Sequence, residues 1–243
     1  MSLSLPPTVQ IHGAAGAIGG ALCDLFERKN WRVVAVSRSA HGPAGRDSAP
    51  VDRDWIQGGL GAPDAGLASP RGDPYAAVVW AQGMNFNDDI GSFSRARHAE
   101  MYEANVVHIM ESLNILLRDG WVRDGARLVV VSSIWQQLAR QNKMSYCVTK
   151  SALQGLVRSL SIDLGRRNIL VNAVLPGALD TPMTRANLKP EQIAALCAAT
   201  PLGALPTLDD VCELAHFLCS EANRGLTGQF VEADRGFSHA RIL

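Results

Sequence analysis

The chain lacks an excess of either charge: lysine plus arginine and aspartate plus glutamate number 23 each. No overall electrostatic attraction therefore draws it to nucleic acid or to an anionic membrane. It also lacks any uninterrupted apolar run near the roughly 18 residues that a membrane helix requires. Met1 to Pro7 has neither a basic start nor a long apolar stretch, so no signal or transit peptide is read there. Cysteines are few, with an odd total of five at Cys23, Cys147, Cys197, Cys212 and Cys219. They form no disulfide framework, and Cys212 and Cys219 fall near one helix face as packing residues rather than metal ligands. A cytoplasmic, reducing location and no metal are the expectations.

What is present describes a globular protein, with 47% apolar and 19% charged residues over 243 positions. That length suits one large α/β domain, with two small ones still open. Thr8 to His12 reads as a strand that stops at Gly13, a helical pattern runs from Ala21 through Phe26, and Arg32 to Val36 is a second strand. Strand, helix, strand at this spacing implies a parallel pair. Glycines and prolines crowd 41–74 and argue against a regular helix there. Tyr75 to Ala81 and Arg127 to Val131 read as buried strands, Phe93 to Leu117 as one long helix or two abutting ones, and Ser145 to Leu164 as another. Ile169 to Leu175 is a strand, Pro190 to Ala199 a short helix, Leu208 to Ser220 a helix, and Gln229 to Ala233 a final strand. No internal repeat or dividing linker interrupts this alternation. The expected architecture is an α/β, single-domain Rossmann-type doubly wound parallel sheet with helices on both faces.

The first turn, Gly13-Ala14-Ala15-Gly16-Ala17-Ile18-Gly19, lies between a strand and a helix. There glycines permit positive φ and close approach to a phosphate, and the helix N-terminus offers free N–H groups to an anion. The second strand ends in Ser37-Arg38, where a site that prefers NAD usually carries a carboxylate for the ribose 2′-hydroxyl. An arginine there welcomes a 2′-phosphate, so NADP(H) is expected over NAD(H).

Tyr146 and Lys150 stand four residues apart, on one face of a helix. An ammonium beside a phenol lowers its pKa from about 10 toward neutral, as a general acid or base requires. Ser132-Ser133 closes the strand upstream, and adjacent residues at a strand end point to opposite sides.

Assembled in this order, the segments resemble the short-chain dehydrogenase/reductase family over nearly the whole chain. They include the glycine turn, Asn105, Val129 to Ser133, Tyr146 to Lys150, Val171 to Pro182, Pro201-Leu202-Gly203, Asp209-Asp210-Val211 and Thr227-Gly228-Gln229. The resemblance implies hydride transfer between a nicotinamide cofactor and a small carbonyl/alcohol substrate. It gives Tyr146 as acid/base, Ser133 as the hydroxyl that orients the carbonyl, Lys150 on the nicotinamide ribose, and Asn105 supporting a relay water. Ser37, Arg38 and Asp52 would hold the adenosine end, Ala81, Gln82 and Gly83 the middle, and Pro176, Gly177 and Thr181 the nicotinamide side. Soluble members are often tetramers whose long helices pair, which implies a homo-oligomer. An NADP-binding sensor or scaffold, and an epimerase or dehydratase that recycles its cofactor, are the alternatives; the Gly13, Gly16, Gly19 spacing suggests the latter.

The chain departs from the family's pattern at His12, where threonine is usual, at Ala17, at Trp80-Ala81-Gln82-Gly83 in place of Asn-Asn-Ala-Gly, and at Arg235 in place of glycine. Trp135, Gln136, Gln137, Leu138 and Arg140, 85–88, and the loop 179–205 with Arg185 are expected around the substrate, which their amides and cations suit to a polar or carboxylate-bearing molecule.

Overall fold

A computed structural model describes residues 5–37, 54–57, 73–181, 184–185 and 188–240. Arg38, Asp52 and most of the glycine- and proline-rich stretch lie outside the described residues.

Seven strands form one sheet: β1 (Thr8–His12), β2 (Arg32–Ser37), β3 (Asp54–Gln57), β4 (Tyr75–Trp80), β5 (Val122–Val131), β6 (Leu170–Pro176) and β7 (Phe230–Ala233). Their spatial order is β3-β2-β1-β4-β5-β6-β7, and every pairing is parallel. From β1 the chain winds outward through β2 and β3, then returns to β4 on the other side of β1. This reversal opens a crevice at the carboxyl ends of β1 and β4, where open α/β sheets bind ligands.

Alternation along the strands loads both faces of the sheet. Val9 and Ile11 of β1, with Ala77 and Val79 of β4, pack with Leu22 and Phe26 of α1 (Ala17–Arg28) and Val211 and Leu218 of α6 (Leu208–Cys219). Val78 and Trp80 face the other way, toward Ile109 and Leu113 of α3 (His108–Arg118) and Leu153 and Val157 of α4 (Met144–Asp163). Each fully buried aliphatic side chain contributes about 1.5–3 kcal/mol, so both layers stabilise the sheet. The observed fold is thus the doubly wound α/β sheet with helices on both faces that the sequence implies.

Two local outcomes differ from the sequence expectation. The stretch expected as one or two helices divides into α2 (Arg95–Tyr102), a π-helical turn (Glu103–Val107) and α3. Strand β5 starts at Val122 rather than Arg127, with a register shift against β4 between Tyr75 and Ala77. Its first turn of chain, Arg123-Asp124-Gly125, is largely exposed, so polar residues there conceal the strand. The short helix after Lys189, α5 (Pro190–Ala198), matches expectation.

Candidate active site

The first turn is built by close approach. Gly13 has φ +76°, and a Cβ on it would lie 2.5 Å from the Gln82 backbone nitrogen. A Cβ on Gly19 would lie 2.2 Å from the Gly13 carbonyl oxygen, so α1 can rest on the turn only without a side chain. Gly16 caps α1 with no side-chain hydrogen bond, and it and Ala17 are exposed, with Ala15 and Ile18 partly so. The cradle therefore presents the open N-terminus of α1 beside the carboxyl end of β1. Across from it, both polar atoms of the Gln82 amide are buried with no hydrogen-bond partner. A phosphate-linked dinucleotide fits this arrangement: the turn admits its pyrophosphate, and Gln82 has a donor and an acceptor to offer.

Ser133 lies two residues beyond β5, and Tyr146 lies in the first turn of α4. The helix start is fixed by Asp88, whose Oδ1 accepts from the Ser145 nitrogen at 2.9 Å and whose Oδ2 accepts from the Ser145 hydroxyl at 2.5 Å. Ser145 also meets His98 Nδ1 at 2.9 Å. Set one residue later, the Tyr146 phenol comes near enough to Ser133 for that hydroxyl to favour its ionised form. Ser132 turns away and donates to Gln136 Oε1 at 2.7 Å, as strand alternation requires. Lys150 is buried, donates to the Val131 carbonyl at 3.2 Å, and places Nζ 5.7 Å from the Tyr146 ring centroid.

The lowered phenol expected from the Tyr-Lys spacing is not found. Burial pushes the Tyr146 phenol up to about 12 and outweighs the opposing Ser133 hydrogen bond. Burial also lowers the Lys150 ammonium to about 8. The physical reason is that the ammonium is directed to a backbone carbonyl, and desolvation penalises both charged forms.

Asn105 sits in the π-helical turn, a distortion frequent at functional sites. Its Oδ1 accepts from the Met84 nitrogen at 2.7 Å, while Nδ2 donates to the Met84 carbonyl and to Thr149 Oγ1, each at 3.0 Å. The side chain implied to support a water is thus committed to clamping the loop after β4. A Cβ on Gly83 would lie 3.2 Å from Asn105 Oδ1 and 3.8 Å from Lys150 Nζ, which brings the loop, the turn and α4 to one point.

Other expected residues divide. Trp135 lines a cavity of about 20 Å³ with Ile134, Gly177, Leu196, Asp234 and Phe237. Gln136 is buried and does not line the cavity. Arg185 is held by both carboxylate oxygens of Asp180 at 2.7 Å, and the Thr181 hydroxyl lies 3.1 Å from that of Thr184. Ser37 is buried at the end of β2, and Pro176 pairs with Ala233. Sequence reasoning missed Asp234, which accepts from the Gly236 and Ser238 nitrogens at 2.9 and 2.8 Å. It also missed Lys143, three residues before Tyr146 and one helical turn from it.

Residues 75–238 match the family model described as enoyl-(acyl carrier protein) reductase. The chain belongs to the short-chain dehydrogenase/reductase family. It is 27% identical over 240 residues to an uncharacterized oxidoreductase of Bacillus subtilis, covering 95% of this chain and 98% of that one. It is 29% identical to L-xylulose reductase of Bos taurus over 243 aligned positions, 93% of this chain and 94% of the other. Among solved structures, a gluconate 5-dehydrogenase from Burkholderia cenocepacia in complex with NADP and tartrate superposes with a TM-score of 0.85 at 22% identity, over 97% of this chain and 96% of that one. The protein is an oxidoreductase of the alcohol/carbonyl class.

Within this short-chain dehydrogenase/reductase, two departures answer one another. His12 stacks on Trp80 with ring centroids 5.7 Å apart, and its Nδ1 lies 3.1 Å from His108 Nε2. Trp80 Nε1 donates to Ser112 Oγ at 2.9 Å. The imidazole and indole thus replace smaller polar groups as one packed unit joining β1, β4 and α3. Arg235, where the family usually has glycine, is left-handed at φ 56°, and its Nε lies 2.8 Å from Asp210 Oδ2.

No helix of the described residues is long and apolar enough to cross a membrane.

Proposed function

We propose that the chain catalyses reversible hydride transfer between NADP(H) and a carbonyl/secondary alcohol pair, with Tyr146 as general acid and base. The observation that carries this reading is the Tyr146 ring set one helical turn from the buried Lys150 ammonium, 5.7 Å away, with the Ser133 hydroxyl acting on the phenol. The nicotinamide supplies the hydride when bound. Ser133 and Tyr146 hold the substrate oxygen on which charge develops. In reduction the phenol donates its proton there, and a pKa near 12 keeps that proton in place until it is needed. In oxidation the phenolate accepts one. Lys150, with its ammonium near 8, is mainly cationic at neutral pH and stabilises the phenolate as it forms. Asn105 anchors Met84 and so fixes Gly83 against Lys150.

In the same reading Gly13, Ala15, Gly16, Ala17, Ile18 and Gly19 cradle the pyrophosphate, and Ser37, Arg38 and Asp52 hold the adenosine end. Ala81, Gln82 and Gly83 meet the ribose side, and Pro176, Gly177 and Thr181 the nicotinamide side. The preference for NADP rests on Ser37-Arg38, where no carboxylate repels a 2′-phosphate. The names of L-xylulose reductase and gluconate 5-dehydrogenase support a small polar substrate. A homo-oligomer in the cytoplasm belongs to the same proposal, supported by Met110, Val148 and Ile162 of α3 and α4, exposed at 52%, 49% and 78%.

The test is NADPH absorbance at fixed enzyme against ketones, aldehydes, keto acids and keto sugars, repeated with NADH. Oxidation of NADPH by at least one class, faster than of NADH, is expected. A clear NADH preference overturns the Ser37-Arg38 reading, and no turnover with either cofactor overturns the activity.

A further inference from the structure

The Tyr146 ring lies near two ammonium groups. Lys150 Nζ stands 5.7 Å from its centroid, and Lys143 Nζ, from the residue just before α4, stands 6.0 Å away. The two are held differently. Lys150 is buried and tied to the Val131 carbonyl, on the strand side of the ring. Lys143 is only partly buried, and its Nζ donates to the Asn85 side-chain oxygen at 2.7 Å in an exposed hydrogen bond. A neutral amide orients the ammonium without cancelling its charge.

The surrounding charges do not cancel it either. Burial, and after it the charge of Arg140, exposed in the loop between β5 and α4, lower the Lys143 pKa, while Cys147 and Asp88 oppose that shift. Asp88 is the carboxylate in this group, and it is turned to the helix start, accepting from the nitrogen and hydroxyl of Ser145. Neither Lys143 nor Arg140 makes an ion pair among the described residues. By contrast Arg185, the other cation expected near the substrate, is neutralised by Asp180. A partly buried ammonium held by a neutral amide, 6.0 Å from the Tyr146 ring, matches a monoanionic group on the substrate.

The geometry points to Lys143, oriented by Asn85, as the binding site for a substrate carboxylate, which makes the substrate a keto acid/hydroxy acid pair. This rests on the reading of Tyr146 as the proton donor to the carbonyl. The carboxylate takes no part in the reaction: its oxygens accept from Lys143 Nζ while the carbonyl oxygen meets Ser133 and Tyr146. Lys143 is therefore a specificity-determining residue, and its loss raises KM for the acid without abolishing hydride transfer.

The test compares α- and γ-keto acids with their methyl esters, at saturating NADPH, in wild type, Lys143→Met and Lys143→Arg. Wild type is expected to favour an acid over its ester in kcat/KM by about tenfold, the weight of one charge-assisted hydrogen bond. Lys143→Met should raise KM for the acid about tenfold while leaving KM for the ester and both kcat values near wild type, and Lys143→Arg should restore the preference. Independently of turnover, the γ-keto acid levulinate should raise the melting temperature of wild type without cofactor, and not that of Lys143→Met. Esters used as well as acids, or a Lys143→Met effect equal on both, overturns the carboxylate site while leaving hydride transfer standing. Wild type that oxidises NADPH with none of these or of the wider carbonyl panel overturns the reading of Tyr146, and this inference with it.

Discussion

Asn105→Ala tests the clamp that joins the loop after β4 to α4. The substitution removes three hydrogen bonds, two to the Met84 backbone and one to Thr149 Oγ1. Water can reach the partly buried Met84, so those two bonds are each worth about 0.5–1 kcal/mol, and the fully buried Thr149 bond about 1–1.5 kcal/mol. The sum, about 2–3.5 kcal/mol, is a large share of the ~5–15 kcal/mol by which domains are stable. Urea unfolding at neutral pH, extrapolated linearly, should show this loss with an unchanged denaturant slope. Turnover should fall more than NADPH affinity, because a released Met84 frees Gly83 from its place against Lys150. Asn105→Asp separates the bonds. It keeps an acceptor for the Met84 nitrogen but sets a carboxylate oxygen against the Met84 carbonyl, and should be no more stable than alanine. Asn105→Ala within about 0.5 kcal/mol of wild type refutes the clamp, since that is the effect of an ordinary surface change.

Other substitutions and conditions probe the turn, the histidine pair and the left-handed arginine. Gly19→Ala places a Cβ against the Gly13 carbonyl oxygen, a backbone clash that cannot be relieved by a rotamer change, so NADPH fluorescence titration should show at least about tenfold weaker binding. An unchanged Kd contradicts the cradle. Burial holds the His12 pKa well below 6.5 and lowers that of His108, so on acidification the unfolded chain takes up protons first. Stability is then full above pH 6.5 and falls below it, and His12→Asn should flatten that acid limb in melting curves. Arg235→Ala loses the Asp210 pair and keeps the left-handed strain, whereas Arg235→Gly relieves the strain. The glycine variant should be about 1 kcal/mol more stable than the alanine variant by urea unfolding, and the reverse order refutes the strain.

The sheet was legible because buried parallel strands are continuous apolar runs, as in β4, or runs broken by one polar residue, as by Asn172 in β6, and because the glycine turn falls where a strand hands over to a helix. The placement of the candidate residues was legible where it depends on spacing along one element, as for Tyr146 and Lys150, or on strand alternation, as for Ser132 and Ser133. It was not legible where long-range contact decides. The spacing of Tyr146 and Lys150 implied a depressed phenol, but nothing in it shows that Lys150 Nζ is directed to Val131, nor how much water the site excludes. The π-helical turn at Asn105 rotates the apolar stripe by about 100°, but it spans only Glu103–Val107, too few residues for a periodicity to mark it. His12 and Trp80 each read as an isolated departure, and only the distance between them reveals a shared packing unit. Lys143 reads as a loop cation until the fold brings Asn85 to it.

The central claim is that Tyr146 delivers the proton, and Tyr146→Phe tests it most directly. NADPH binding by fluorescence titration and NADPH oxidation with the best carbonyl substrate should be measured on the same preparation. Binding near wild type with turnover abolished is the predicted result. A variant that keeps a tenth of the wild-type rate, a loss of only about 1.4 kcal/mol of transition-state stabilisation, contradicts the assignment.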